Sequence, residues 1–145
     1  MDRAFYSEIK KILTNARGKV YQTANFTMVE AYWQIGKSIV KEQNGEERAE
    51  YGTGLLKELS KQMTQDFGRG FTVANLKNTR QFYLTFPNGY ALRSELSWTH
   101  YRLLMRVEND NARQFYMDEA VKSQWSTRQL ERQIPGVVEN SFYQR

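Results

Sequence analysis

The sequence predicts an all-α protein, in which an N-terminal helical hairpin is followed by a helical bundle that contains a helix-turn-helix. Apolar residues recur at spacings of three and four along most of the chain, the period of a helix that buries one face. No segment keeps the strict alternation of a strand. Hydroxyl residues that can cap helices precede several apolar runs, and hydrophobic residues make up 40% of the 145, enough for a core.

The first 50 residues are predicted to form the hairpin. An apolar stripe in residues 5–22 consists of Phe5, Ile9, Ile12, Leu13, Ala16 and Val20. Thr27 and Glu30 then form a T-x-x-E capping box, which predicts that a second helix begins there after a turn at 23–25. A broad apolar stripe follows from 28 to 40, and Gly36 within it indicates close packing against another helix.

Residues 51–135 are predicted to form a second unit, and the stretch 53–86 within it has the pattern of a helix-turn-helix. Thr53 can cap a first helix with a leucine-rich stripe, and residues 66–71 (DFGRGF) form a turn whose two glycines permit positive φ angles. Thr72 can cap a second helix at about 73–85. The turn has about six residues, which is longer than the usual three or four.

The outer face of this second helix suggests contact with DNA. Projection at 100° per residue places Lys77, Asn78 and Gln81 opposite the apolar face, with Asn75 and Arg80 on its flanks. Lysine can bind guanine or phosphate, and asparagine and glutamine can pair with adenine in the major groove. The helix also lacks acidic residues that would repel phosphate. The alternative interpretation is an ordinary solvated helix face.

The excess of positive charge fits the same interpretation. The net charge is +5, and arginine outnumbers lysine from residue 69 onward. The planar guanidinium suits phosphates and base edges. We expect Lys61, Arg69 and Arg80 to contact phosphates, and Thr72 to cap a helix whose N-terminus faces the DNA backbone. A solubilising surface charge is the alternative.

Three further helices are predicted after Pro87. Ser97 can cap the first, residues from about 110 to 124 form the second, and an S-x-x-Q capping box at Ser126 opens the third. Pro135-Gly136 interrupts the pattern, and residues 136–145 are predicted to be a linker or the start of another domain.

The composition excludes several classes of site. The chain has no cysteine and one histidine, so disulfides, zinc sites built on cysteine and Cys-His nucleophiles are excluded, and a cytoplasmic location is expected. No phosphate-binding glycine loop is present, and we expect neither a metal nor a cofactor. His100 lies one turn from Ser97 without an acidic orienting residue, which favours packing or DNA contact over catalysis. No apolar run is long enough for a membrane span, and the N-terminus does not resemble a signal peptide.

Several strings carry a resemblance to a known family. They are AYWQIG at 31–36, AEYG at 49–52, FGRGF at 67–71, NL at 75–76 with QFY at 81–83, LSWTHY at 96–101 and WSTRQLERQI at 125–134. Together they resemble the N-terminal domain of the YhcG-like bacterial proteins. This resemblance implies a helix-turn-helix DNA-binding domain, joined in full-length members to a C-terminal PD-(D/E)XK nuclease-like domain that is absent from this sequence.

A second resemblance covers residues from about 54 to 134. The LSWTH string, the helix after it and the string WSTRQLE are similar to the helical DNA-binding core of ParB-like partition proteins. That similarity implies that the helices after Pro87 support the reading helix. It also implies that Arg102, Arg106 or Arg128 contacts phosphates.

The leading hypothesis is a DNA-binding module, not itself an enzyme, that targets a nuclease domain to duplex DNA. The rival is an interaction or oligomerisation module without direct contact to nucleic acid. In that case residues 5–43 pair with a second copy or with another protein, because the apolar stripe at 28–40 is wider than one partner helix needs. An enzyme in its own right is the third interpretation, but no set of catalytic residues can be assembled.

Overall fold

The computed structural model describes residues 3–44 and 49–135. Its helices are α1 (Arg3–Asn44), α2 (Ala49–Phe67), α3 (Val73–Thr85), α4 (Trp98–Leu104), α5 (Asp110–Lys122) and α6 (Thr127–Gln133), with a short 3₁₀ turn at Gly89–Ala91. No strand occurs in these ranges, so the predicted all-α class is confirmed. The predicted linker at 136–145 lies outside the described residues.

The predicted N-terminal hairpin is not formed, because α1 is one continuous helix of 42 residues. Thr27, the predicted helix cap, lies in its middle and donates its Oγ1 hydrogen bond to the carbonyl of Thr23, 2.9 Å away. The hydroxyl is therefore satisfied one turn back along the same helix. No glycine or proline lies at 23–27 to break the helix, so the capping signal alone does not end it.

The apolar residues of the two halves of α1 lie on opposite faces of the helix, and only the second half buries them. In the second half, Val29, Trp33, Gly36, Ile39 and Val40 are buried. The apolar stripe of residues 5–20 points roughly 160° away from that face at 100° per residue. The first half is therefore exposed throughout residues 3–22.

The main core joins the second half of α1 to α3, α4, α5 and α6. Its most deeply buried side chains are Val29, Phe82, Tyr101, Leu104, Met117 and Leu130. A smaller cluster of Ile39, Leu56 and Leu76 attaches α2 to α1 and α3. Residues before and after residue 50 thus pack in the same clusters. The division into two units at residue 50 stays a prediction.

The contact between α1 and α3 depends on a glycine. A Cβ atom at Gly36 would lie 2.0 Å from the carbonyl oxygen of Thr79, so only glycine permits this separation of the two backbones. The prediction that Gly36 serves close packing is confirmed. Trp33 donates its Nε1 hydrogen bond to the carbonyl of Phe86, 2.7 Å away, and its ring lies edge-on to Tyr83. These contacts fix the middle and the C-terminal end of α3 against α1.

His100 connects α4 to the turn before α6. Its Nδ1 accepts the backbone hydrogen bond of Ser97 at 3.0 Å, and its Nε2 lies 2.8 Å from the carbonyl of Trp125. Since Nδ1 accepts and a carbonyl cannot donate, the proton lies on Nε2. The side chain is buried, so the predicted packing role is confirmed.

Candidate nucleic-acid interface

The turn between α2 and α3 is held from both sides. Gly68 and Gly70 have φ angles of +83° and +115°, which favour glycine. Ser60 of α2 donates a hydrogen bond to the carbonyl of Phe71 at 2.6 Å, and Asn75 of α3 donates one to the carbonyl of Gly70 at 3.0 Å. The longer turn is thus fixed to both helices by side chains.

The start of α3 favours a negatively charged ligand. Thr72 is the N-cap as predicted, since its Oγ1 accepts a hydrogen bond from the backbone nitrogen of Asn75 at 3.1 Å. The first turn contains no acidic residue. The uncapped amides there carry partial positive charge, and a helix N-terminus of this kind attracts phosphate.

The outer face of α3 carries a pair of exposed polar side chains that lie one helical turn apart. Lys77 and Gln81 are both exposed, on the side opposite the buried Leu76, Thr79 and Phe82. Gln81 donates a hydrogen bond to the hydroxyl of its own helix neighbour Thr85 at 3.1 Å. The ammonium and amide groups of this pair are available to a ligand lying along the helix.

Three other predicted residues of α3 lie away from this exposed pair. Asn78 is half-buried. Arg80 is half-buried and donates from its Nε to the side-chain oxygen of Gln43, so it faces α1. Asn75 is exposed, but its amide holds the turn. The accessible part of the predicted reading face therefore centres on Lys77 and Gln81.

A cavity of about 260 Å³ adjoins the first turns of α3 and α4. Asn75 and Arg102 line it together with Tyr32 and Trp98, whose ring centroids are 5.0 Å apart. Both rings are half-buried, and they also pack against the main core. The residues of α1 and α4 meet here only because α1 crosses the bundle, which local periodicity does not indicate.

The remaining predicted cations extend into solvent from separate elements. Lys61 lies on α2, Arg69 at the tip of the turn, Arg102 on α4, Arg106 just after α4 and Arg128 on α6. Within residues 3–44 and 49–135, none of them forms an ion pair, whereas Arg93 and Arg113 do. Their charges are not neutralised by carboxylates of the described chain and can attract phosphates.

Metal-binding and membrane-spanning arrangements are not found in the described ranges. No three side chains of the types His, Asp and Glu lie close enough there to hold a metal ion. No helix in the same ranges is long and apolar enough to cross a bilayer.

Comparison with known proteins identifies relatives of this chain. The model of the family described as the DUF1016 N-terminal domain matches residues 8–145. The Escherichia coli (strain K12) protein named "Putative nuclease YhcG" is 34% identical over an alignment of 167 residues, which covers 92% of this chain. The chain spans 44% of that relative's length. No solved structure matches it.

The match has two consequences. The matching family model is that of an N-terminal domain, so the match concerns the N-terminal part of such proteins. It also agrees with the resemblance carried by the strings from AYWQIG to WSTRQLERQI. The chain therefore belongs to the DUF1016 N-terminal domain family.

Proposed function

We propose that this chain is a DNA-binding module of helix-turn-helix type, in which α3 is the reading helix. The observation that carries the proposal is the exposed, acid-free outer face of α3, where Lys77 lies beside Gln81. Lysine can bind guanine or phosphate, and glutamine can form two hydrogen bonds with adenine. The N-terminus of α3, capped by Thr72, would face the DNA backbone.

The phosphate contacts would come from cations around α3. Lys61, Arg69 and Arg102 are exposed and free of ion pairs in the described chain, and Arg106 and Arg128 share both properties. Such contacts supply affinity and orientation without reading sequence. Arg80 would join them only after leaving Gln43, so we assign it a supporting position.

In a complete protein, the module would bring a nuclease domain to duplex DNA. This part of the proposal is supported by the name of the Escherichia coli relative, of which the chain spans 44%. We place the module in the cytoplasm, since DNA is its ligand and the chain contains no cysteine.

The experiment is a fluorescence anisotropy titration of a labelled duplex with the wild type and with Lys77→Ala/Gln81→Ala. We expect the double variant to bind about 10-fold or more weakly, because each lost contact is worth about 1–3 kcal/mol. Its thermal stability should match the wild type, since both side chains are exposed.

The matched control is Lys122→Ala/Gln114→Ala on α5, which removes the same two residue types from exposed positions. This control should bind within about 2-fold of the wild type if the contacts lie on α3. Equal losses for the two double variants would contradict α3 as the reading helix. Binding that neither pair affects would contradict it as well.

A further inference from the structure

The cavity of about 260 Å³ between α1, α3 and α4 lies on a side of α3 that the proposed reading face does not use. Leu76 and Thr79 of α3 line it. At 100° per residue, these two positions lie roughly 100° and 160° from Lys77 around the helix. The cavity is therefore separate from the exposed pair of Lys77 and Gln81, and a site there does not depend on duplex binding by α3.

The walls of this cavity are held by the fold. The Tyr32 and Trp98 rings lie 5.0 Å apart, and both pack against the main core. The hydrogen bond from Asn75 to the carbonyl of Gly70 holds the turn that forms another wall. Because these groups are already ordered, a ligand that enters the cavity immobilises few side chains, which favours affinity.

Three polar groups of the lining residues are not used by the fold. The Tyr32 hydroxyl, the Trp98 Nε1 and the Arg102 guanidinium form no hydrogen bond within residues 3–44 and 49–135. The two rings are half-buried and Arg102 is exposed, so all three groups can meet a ligand. All three can donate hydrogen bonds. The cavity thus offers aromatic surface and donors together, which suits a planar ligand with acceptors and negative charge.

Charge separates this cavity from two larger ones in the described chain. The groove of about 520 Å³ between α1 and α2 has Glu42 in its lining, and the cavity of about 440 Å³ beside Trp33 has Glu30. The described lining of the smaller cavity contains Arg102 and no carboxylate. Since a carboxylate repels an anion and an arginine attracts it, the smaller cavity is the one of these three that suits a phosphate.

We propose that this cavity binds a single nucleotide. The base packs against the Tyr32 and Trp98 rings, and the phosphate pairs with Arg102. Stacking on aromatic side chains and pairing of arginine with phosphate are the contacts by which proteins hold nucleotides whose bases are unpaired.

The size of the cavity restricts the form of the nucleotide. Pockets for drug-sized ligands have volumes of about 300–1,000 Å³, so 260 Å³ accepts one ring system and not a base pair. A base inside a duplex is also stacked on its neighbours and cannot enter without leaving the helix. The nucleotide is therefore either an unpaired one in a nucleic-acid strand or a free mononucleotide.

Titration of the isotope-labelled full chain with adenosine monophosphate, followed by NMR, tests the site. The chain has three tryptophans, whose indole N–H signals provide an internal control. We expect the Trp98 signal to shift, whereas the signal of Trp33 should not, because its Nε1 donates to the carbonyl of Phe86. Inorganic phosphate lacks the base and should shift the Trp98 signal far less. No shift up to about 10 mM monophosphate, or an equal response to phosphate, would overturn the proposal.

Two substitutions test the assigned contacts. Arg102→Ala changes an exposed residue and should preserve the fold, while half-saturation should need about 10-fold more monophosphate. Arg106→Ala is the matched control, since Arg106 is exposed too but does not line the cavity, and should change the midpoint by less than about 2-fold. Tyr32→Ala should weaken binding about 10-fold or more, and the half-buried Tyr116 of α5 provides its control. Equal losses within either pair would overturn the assignment.

Two further measurements identify the source of the nucleotide and separate the site from α3. A single-stranded deoxyadenylate hexamer that binds about 10-fold or more tightly than the monophosphate, and weakens equally in Arg102→Ala, assigns the site to a strand. Equal or weaker binding of the hexamer assigns it to a free nucleotide. Lys77→Ala/Gln81→Ala should leave the monophosphate titration unchanged, even if duplex binding is lost. Loss of monophosphate binding in that variant would place the nucleotide on the reading face and overturn the proposal.

Discussion

The two halves of α1 have the same helical conformation but opposite roles. Residues 29–40 place Val29 and Trp33 in the core, whereas residues 3–22 are exposed on every side. Both halves have apolar residues at helical spacing, so the difference lies in direction, not in composition. An amphipathic pattern therefore identifies a buried face only when a packing partner lies on that side of the helix.

Substitution of two glycines, one in each half of α1, tests the difference between the halves. The largest effect on the free energy of unfolding is expected for Gly36 in the packed half. Gly36→Ala would place a Cβ atom 2.0 Å from the Thr79 carbonyl oxygen and force α3 away from α1. We expect a loss of about 3 kcal/mol in the free energy of unfolding, measured by urea denaturation. DNA binding should weaken too, since α3 would lose its support.

The matched substitution is Gly18→Ala in the first half. Nothing lies within 4 Å of a Cβ atom at Gly18, so the methyl group meets no obstacle. Alanine is the better helix former, and we expect stability to be unchanged or raised by up to about 1 kcal/mol. Equal destabilisation by the two substitutions would contradict the division of α1 into a packed half and a free half.

Tyr101 lies in the main core, so its titration reports on the packed part of the chain and not on residues 3–22. Burial raises the pKa of the Tyr101 phenol from 10.0 to about 12, although the backbone hydrogen bond from Arg93 acts in the opposite direction. Its oxygen accepts from the Arg93 nitrogen at 2.5 Å and donates to the Arg93 carbonyl at 3.1 Å. Its protonated form is thus part of the core structure.

The sign of the pH effect follows from that raised pKa. Above pH 10 the unfolded chain releases the phenol proton while the folded chain keeps it, so stability should fall by about 2 kcal/mol between pH 10 and 12. Tyr101→Phe should lower stability at neutral pH, because the Arg93 amide loses its acceptor, and should flatten this alkaline fall. Denaturant unfolding from pH 9 to 12 measures both. An equally steep fall in the variant would contradict the assignment.

The sequence predicted the elements that local chemistry determines. Thr72, Ser97 and Ser126 cap the helices expected of them, and Gly36 packs as expected. The prediction of a hairpin with a turn at 23–25 was wrong, because the T-x-x-E pattern at Thr27 can also occur within a helix. A local pattern does not distinguish the two cases without a residue that stops the helix.

The candidate site was predictable in part. Exposure of Lys77 and Gln81 follows from helical projection, since α3 buries Leu76, Thr79 and Phe82. The half-buried position of Arg80 depends on Gln43, which is 37 residues away. The cavity between Tyr32 and Trp98 depends on the same long-range packing of α1. Contacts of this kind arise from tertiary structure and leave no local signal.

We propose that the exposed face of α3, held by the packed half of α1, binds duplex DNA. The most direct test is the dissociation constant of a labelled duplex measured from about 50 to 200 mM salt. We expect affinity that falls steeply with salt, and a log–log slope that is reduced by about 1 in Lys77→Ala if this lysine contacts a phosphate. Affinity that is independent of salt, and unchanged by Lys77→Ala and Gln81→Ala, would contradict it.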